Sequence, residues 1–95
     1  MGLEEVNAAV QDANPDVVDL LVALAEAATD DQALAYLGAG PVEDLIRLHG
    51  AQYLEAIDHA ARTNKSFRTA LRCVWYGDDV DPVLVARLQR FGPPL

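Results

Sequence analysis

The segment Gly38-Ala39-Gly40-Pro41-Val42-Glu43-Asp44-Leu45-Ile46-Arg47-Leu48-His49-Gly50 carries more helix punctuation than any other part of the chain. Gly38 is suited to the left-handed residue that closes a helix. Gly40 or Ala39 then stands at a cap, and Pro41 takes the first helical position, where a missing N–H costs nothing. Glu43 and Asp44 put negative charge on the first turn, where the helix dipole favours it. Val42, Leu45, Ile46 and His49 fall at i, i+3, i+4 and i+7, one face of a short helix that Gly50 ends. The segment therefore predicts a helix stop, a turn, and a new helix with Leu45 buried against the helix that follows Pro15. Gly38, Gly40, Pro41, Leu45, His49 and Gly50 are its structural residues.

Outward from this segment the punctuation continues. Leu3, Val6, Val10 and Ala13 form a thin apolar stripe and predict a helix over about 3–13. Asn14-Pro15 reads as a cap and first-position proline for a second helix running to about Ala28. There Val17, Leu20, Leu21, Leu24 and Ala28 line one face, and Val18, Val22 and Ala25 widen it. Only a narrow polar strip remains, which predicts a helix central to its fold. Thr29-Asp30-Asp31-Gln32 matches a capping box with Thr29 at the cap. Ala33, Leu34 and Leu37 then face inward until Gly38. Beyond Gly50, Tyr53, Leu54, Ile57, Ala60 and Ala61 predict the buried face of a helix over 51–63. Glu55, Asp58, His59 and Arg62 form its wet side. Asn64 or Ser66 caps the next helix, whose core stripe is Phe67, Ala70, Leu71, Val74 and Trp75, and Gly77 ends it. Asp81-Pro82 starts the last helix, with Leu84, Leu88 and Phe91 inward, and residues 92–95 form an irregular tail.

No stretch alternates as a half-buried strand does. The expectation is one all-α domain over 1–95, a compact bundle of about six to seven short helices or a stack of helical hairpins.

Gly38 to Ile46, with His49-Gly50, also resembles a segment of a family of uncharacterised bacterial proteins. That segment reads Gly-Ala-Gly-Pro-Leu-Glu-Asp-Leu-Leu and is followed by His-Gly. Phe67-Arg68-Thr69-Ala70-Leu71-Arg72-Cys73-Val74-Trp75 is similar to an Arg-rich helix of the same family. The likeness spans about residues 17–76, and Val42 and Ile46 stand where the family has leucine. It implies a bacterial or phage origin and a helical fold, and supplies no mechanism.

Charge bounds the function. The chain has 95 residues, a net charge of −8 and one cysteine. A lone Cys73 leaves no internal disulfide and fits a reducing cytoplasm. The acidic start Met1-Gly2-Leu3-Glu4-Glu5-Val6 does not read as a secretory signal, and no apolar run is long enough for a bilayer. Residues 1–46 carry ten carboxylates and no Lys or Arg, whereas residues 47–95 carry five carboxylates and seven basic groups. The halves are thus −10 and +2, a polarity that steers encounter with a charged partner. Nucleic acid is not expected, since phosphate contacts need clustered Lys and Arg.

Two faces are candidate surfaces. The acidic one is Asp16, Asp19, Glu26, Asp30 and Asp31. The alternative is the basic stripe Lys65, Arg68 and Arg72 with Tyr76. Each such face is more often solvated than a binding surface. His49 reads as a core residue. Glu55 and His59, at i and i+4, are too few for a metal site. Cys73 lacks a neighbouring base. Gly38-Ala39-Gly40 lacks the Lys of a phosphate loop, and Glu43 and Asp44 repel an anion there. No catalytic residue, metal or cofactor is expected. These features predict a small acidic non-enzymatic protein-binding module of the immunity, antitoxin or anti-defence inhibitor kind, its partner another protein with a basic surface. The alternatives are a structural unit that self-associates as a homodimer through Trp75 and Tyr76, or a small-molecule binder or enzyme.

Overall fold

A computed structural model describes residues 8, 10, 12, 15–78 and 80–92. Five α-helices and one π-helical segment appear in it: α1 (Val17–Ala27), α2 (Asp31–Leu37), the π segment (Gly38–Val42), α3 (Glu43–Thr63), α4 (Lys65–Leu71) and α5 (Pro82–Gln89). The described residues contain no strand, so the all-α class holds. The helix count does not. Residues 31–63 run on with a single kink at His49, and the described residues form four helical bodies rather than six or seven.

The helix end expected at Gly38 is therefore not an end. Gly38 is right-handed helical, φ −65° and ψ −48°, not left-handed. Pro41 lies inside the π segment rather than at a first helical position. A proline in a regular α-helix loses a hydrogen bond and clashes with the preceding turn. The wider π turn removes that conflict, and the Glu43 N–H reaches back to the Gly38 carbonyl. At the other boundary the backbone leaves helical geometry at His49, φ −142° and ψ 24°, so α3 is two helical stretches that meet at a kink next to Gly50, where a helix end is expected. Both glycines serve close approach. A β-carbon at Gly38 would overlap the Ala70 carbonyl oxygen, and one at Gly50 would lie 2.7 Å from Leu84 Cδ1.

Other boundaries shift for local reasons. α1 begins at Val17 with Asp16 in the cap position, so Pro15 stands in the preceding turn, and the expected cap Asn14 lies outside the described residues. Asp30, not Thr29, caps α2, its carboxylate accepting from the Ala33 N–H at 2.8 Å. Asn64 caps α4, accepting from the Phe67 N–H at 2.8 Å, and Asp81 caps α5 with Pro82 in the first turn. α4 ends at Leu71, six residues before Gly77. Of the helix expected over 3–13, Ala8 and Val10 are helical and Asp12 N–H donates to the Ala8 carbonyl; Leu3, Val6 and Ala13 lie outside the described residues.

The hub is α4, not α1. This short helix packs against α1, α2, the π segment and α3. Phe67, Ala70 and Leu71 are buried on it, and Leu21, Leu45 and Ile57 are fully buried around them. Leu45 is at 0% exposure, and its helix packs against α1 as expected. Leu20 and Leu24 on one flank of α1, and Val22 on the other, are only partly covered. α5 packs on α3, with Leu84 and Leu88 buried. Among the described residues no helix is long and apolar enough to cross a membrane.

Candidate interaction surfaces

Asp16, Asp19 and Glu26 follow helical spacing, so they share one side of α1 and its entry turn. All three are exposed, as are Asp30 and Asp31 at the start of α2. Asp30 and Glu26 also serve the fold. Asp30 is the α2 cap, and Glu26 Oε1 accepts from Asn64 Nδ2 at 2.6 Å. None of the five lines the groove of about 300 Å³ between α1 and α2, which is formed by Leu24, Ala27, Ala28, Tyr36, Leu37 and Pro41, with Ala33 at its wall. Tyr36 is 71% exposed there. Sequence reasoning singles out the carboxylates and misses the groove, because Leu24 and Ala28 read as core and nothing in the periodicity leaves them uncovered.

The alternative basic face is largely taken up by structure. Lys65 is exposed. Arg68 turns back on the end of α3, Nε donating to the Ala61 carbonyl at 2.8 Å and Nη2 to the Arg62 carbonyl at 3.2 Å. These are carbonyls that a helix end leaves without intrahelical partners. Arg72 lies against Gly92. Tyr76 is half-buried, and burial pushes its phenol up to about 12, so it stays neutral. Trp75 departs further from its expected core position. Because α4 stops at Leu71, Trp75 leaves the helical stripe and is 72% exposed. Its backbone is held, the N–H donating to Glu43 Oε1 at 2.8 Å and the carbonyl accepting from Arg47 Nη2 at 3.4 Å.

The strongest electrostatic feature centres on Asp58, which periodicity alone assigns to the wet side of α3. Asp58 is in fact buried, its side chain only 4% exposed. Arg62 Nε lies 2.6 Å from Oδ1. Arg87 Nη2 donates to Oδ2 at 3.2 Å, and Arg90 Nη2 donates to Oδ2 at 2.9 Å and to Oδ1 at 3.2 Å. Arg87 also grips Glu55 through Nη1 at 2.7 Å and Nη2 at 3.3 Å, a two-pronged pair. Burial pushes the Asp58 carboxyl up, but the Arg87 hydrogen bond and the charges of Arg62, Arg90 and Arg87 together outweigh it and hold the group below its usual range. Hydrogen bonding and charge from Arg87 lower Glu55 as well. The Asp58–Arg62 pairing is legible as an i, i+4 spacing. Arg87 and Arg90, three apart at the end of α5, are the available hint of a second helix reaching the same carboxylate.

Asp58→Asn is expected to cost about 1–3 kcal/mol at neutral pH, because it removes charge-assisted hydrogen bonds while leaving arginines that water can still reach. With a folded-state carboxyl below its unfolded value of about 3.9, the Asp58 contribution is full above that value and is lost as pH falls through the folded one. Urea unfolding of the wild type should therefore weaken steeply below about pH 4, and the variant should weaken less over the same window. Parallel pH profiles would show that Asp58 is not held by its arginines.

Chemistry-bearing groups are sparse elsewhere. Burial raises the Cys73 thiol, the opposite of what a nucleophile needs, and Sγ donates to the Thr69 carbonyl at 3.5 Å. His49 is half-buried, edge-on to Tyr53 with ring centres 6.4 Å apart. Glu55 and His59 are both exposed. Among the described residues no group of three or more His, Cys, Asp or Glu is placed to hold a metal ion.

No curated protein and no solved structure matches the chain. One family model does, over residues 3–92, and that span is nearly the whole sequence. The chain belongs to the family of unknown function DUF6869.

Proposed function

We propose that this chain is a non-enzymatic protein-binding module of the cytoplasm, of the immunity, antitoxin or anti-defence inhibitor kind. Its α1–α2 side receives a partner protein with a basic surface, and no cofactor or nucleic acid takes part. The observation that carries this reading is what α1 and α2 present together: five exposed carboxylates, and between the two helices an apolar groove lined in part by the exposed Tyr36. Protein interfaces have an apolar centre within a polar rim and favour tyrosine as an anchor. The absence of any Lys or Arg from residues 1–46 extends one sign of charge over the whole region. Carboxylates so arranged can occupy a basic nuclease surface where nucleic acid would otherwise lie.

The test neutralises Asp16, Asp19, Asp30 and Asp31 to Asn and Glu26 to Gln in one variant. Asp30→Asn keeps a side-chain oxygen for the α2 cap, and Glu26→Gln keeps one for Asn64, so the fold is retained. With a partner captured from the source organism, association should slow by about tenfold or more at low salt, and the difference should shrink as salt rises. Lys65→Gln is the control and should leave the rate unchanged or raise it. Equal rates for the five-site variant and the wild type would overturn the reading. The exposed Trp75, held by its backbone, favours a second reading as a homodimer through that residue; a Trp75→Ala-sensitive dimer in sedimentation would support it.

A further inference from the structure

We propose that Arg62, Arg87 and Arg90 form a binding site for a single phosphoryl group, with Asp58 as the post that gathers them. Arg87 and Arg90 both tie the α5 side to Asp58 on α3. Arg62 belongs to α3 itself, so its bond to Asp58 ties no second element. Its effect is to bring a third guanidinium to the same point. The two Asp58 oxygens are then filled by these three arginines, while Arg62 Nη1 and Nη2, Arg87 Nε, and Arg90 Nε and Nη1 have no hydrogen-bond partner among the described residues; the Arg90 guanidinium also lies over the Phe91 ring, 5.2 Å from its centre. Arg62 and Arg90 are 58% and 47% exposed. Donors are therefore left over, and they sit on side chains that reach water.

Charge selects the ligand. Three arginines face Asp58 and Glu55, leaving one positive charge in a chain of net −8. Asp58 is fixed by burial, but Glu55 is 83% exposed and holds only Arg87. A ligand that displaces Glu55 meets two net positive charges, the complement of a phosphate dianion. Planar guanidinium forks suit phosphate oxygens. The acidic first half repels a longer polyanion, so one phosphoryl group fits and a nucleic-acid strand does not.

Titration of the full chain with inorganic phosphate at constant ionic strength, against chloride, tests this by following the arginine Nε–H signals in NMR spectra. Saturable shifts are expected at Arg62, Arg87 and Arg90. Arg62→Gln, which leaves α5 docked, should weaken binding by about tenfold. Glu55→Gln removes the competing carboxylate and should tighten binding about threefold or more, the reverse of what a purely structural ion network predicts. An organic phosphomonoester that binds more tightly than inorganic phosphate identifies a small organic phosphate as the source, and equal binding identifies free phosphate. A phosphate response no different from chloride, no tightening by Glu55→Gln, or stronger competition by an oligonucleotide than by phosphate would each overturn the proposal.

Discussion

Gly38→Ala is expected to lower stability by about 3 kcal/mol, read as the urea unfolding midpoint. The added β-carbon would overlap the Ala70 carbonyl oxygen and stand 2.9 Å from its carbon and 2.9 Å from Cys73 Cβ. The first two are backbone atoms and cannot turn aside as a flexible side chain does. Relief requires α4 to move away from the π segment, and α4 is also packed against α1, α2 and α3. Gly40, two residues on, supplies the comparison. Nothing lies within 4 Å of a β-carbon there, and its backbone is helical. Gly40→Ala should therefore be neutral or stabilising by about 0.5–1 kcal/mol, since alanine is the better helix former. Two alanines with similar effects would mean that the close approach of Gly38 to α4 is absent.

Phe67→Ala should cost about 3–5 kcal/mol. Phe67 is fully buried and is the largest such side chain among the described residues. It sits one turn into α4, beside the Asn64 cap, where several elements meet. Collapse onto the vacated space would require those elements to shift together, so most of the cavity remains. A cost near 1 kcal/mol would contradict the role of α4 as the centre of the core. The exposed Lys65→Ala on the same helix should change stability by no more than about 0.5 kcal/mol.

Local chemistry is legible wherever one residue decides an outcome. Asn64 and Asp81-Pro82 mark helix starts in sequence and in structure, and the buried positions Leu45, Ile57, Phe67, Ala70 and Leu84 follow from spacing. The misreadings share a cause: tertiary contact decides what local propensity leaves open. Gly38 reads as a stop because glycine ends helices, yet here it makes room for Ala70; Gly50 follows the kink at His49 and also makes room for Leu84. Pro41 reads as a start because a continuous helix through proline needs a π turn, which no local pattern announces. Asp58 reads as wet because its spacing places it with His59 and Arg62; its burial comes from arginines 29 and 32 positions later. Trp75 reads as core because the end of α4 at Leu71 is not marked by glycine or proline. The carboxylates of the candidate surface are visible as charge, whereas the groove between α1 and α2 arises only from how those helices pack.

The most direct test of the functional account is the hydrogen-exchange footprint of the captured partner on this chain. Backbone amides of α1 and α2, with protection centred on the groove from Leu24 to Pro41, should slow on complex formation, while the segment around Trp75 and the α5 helix should be unchanged. Protection confined to residues 72–78 or to α5, with α1 and α2 exchanging as in the free protein, would contradict it.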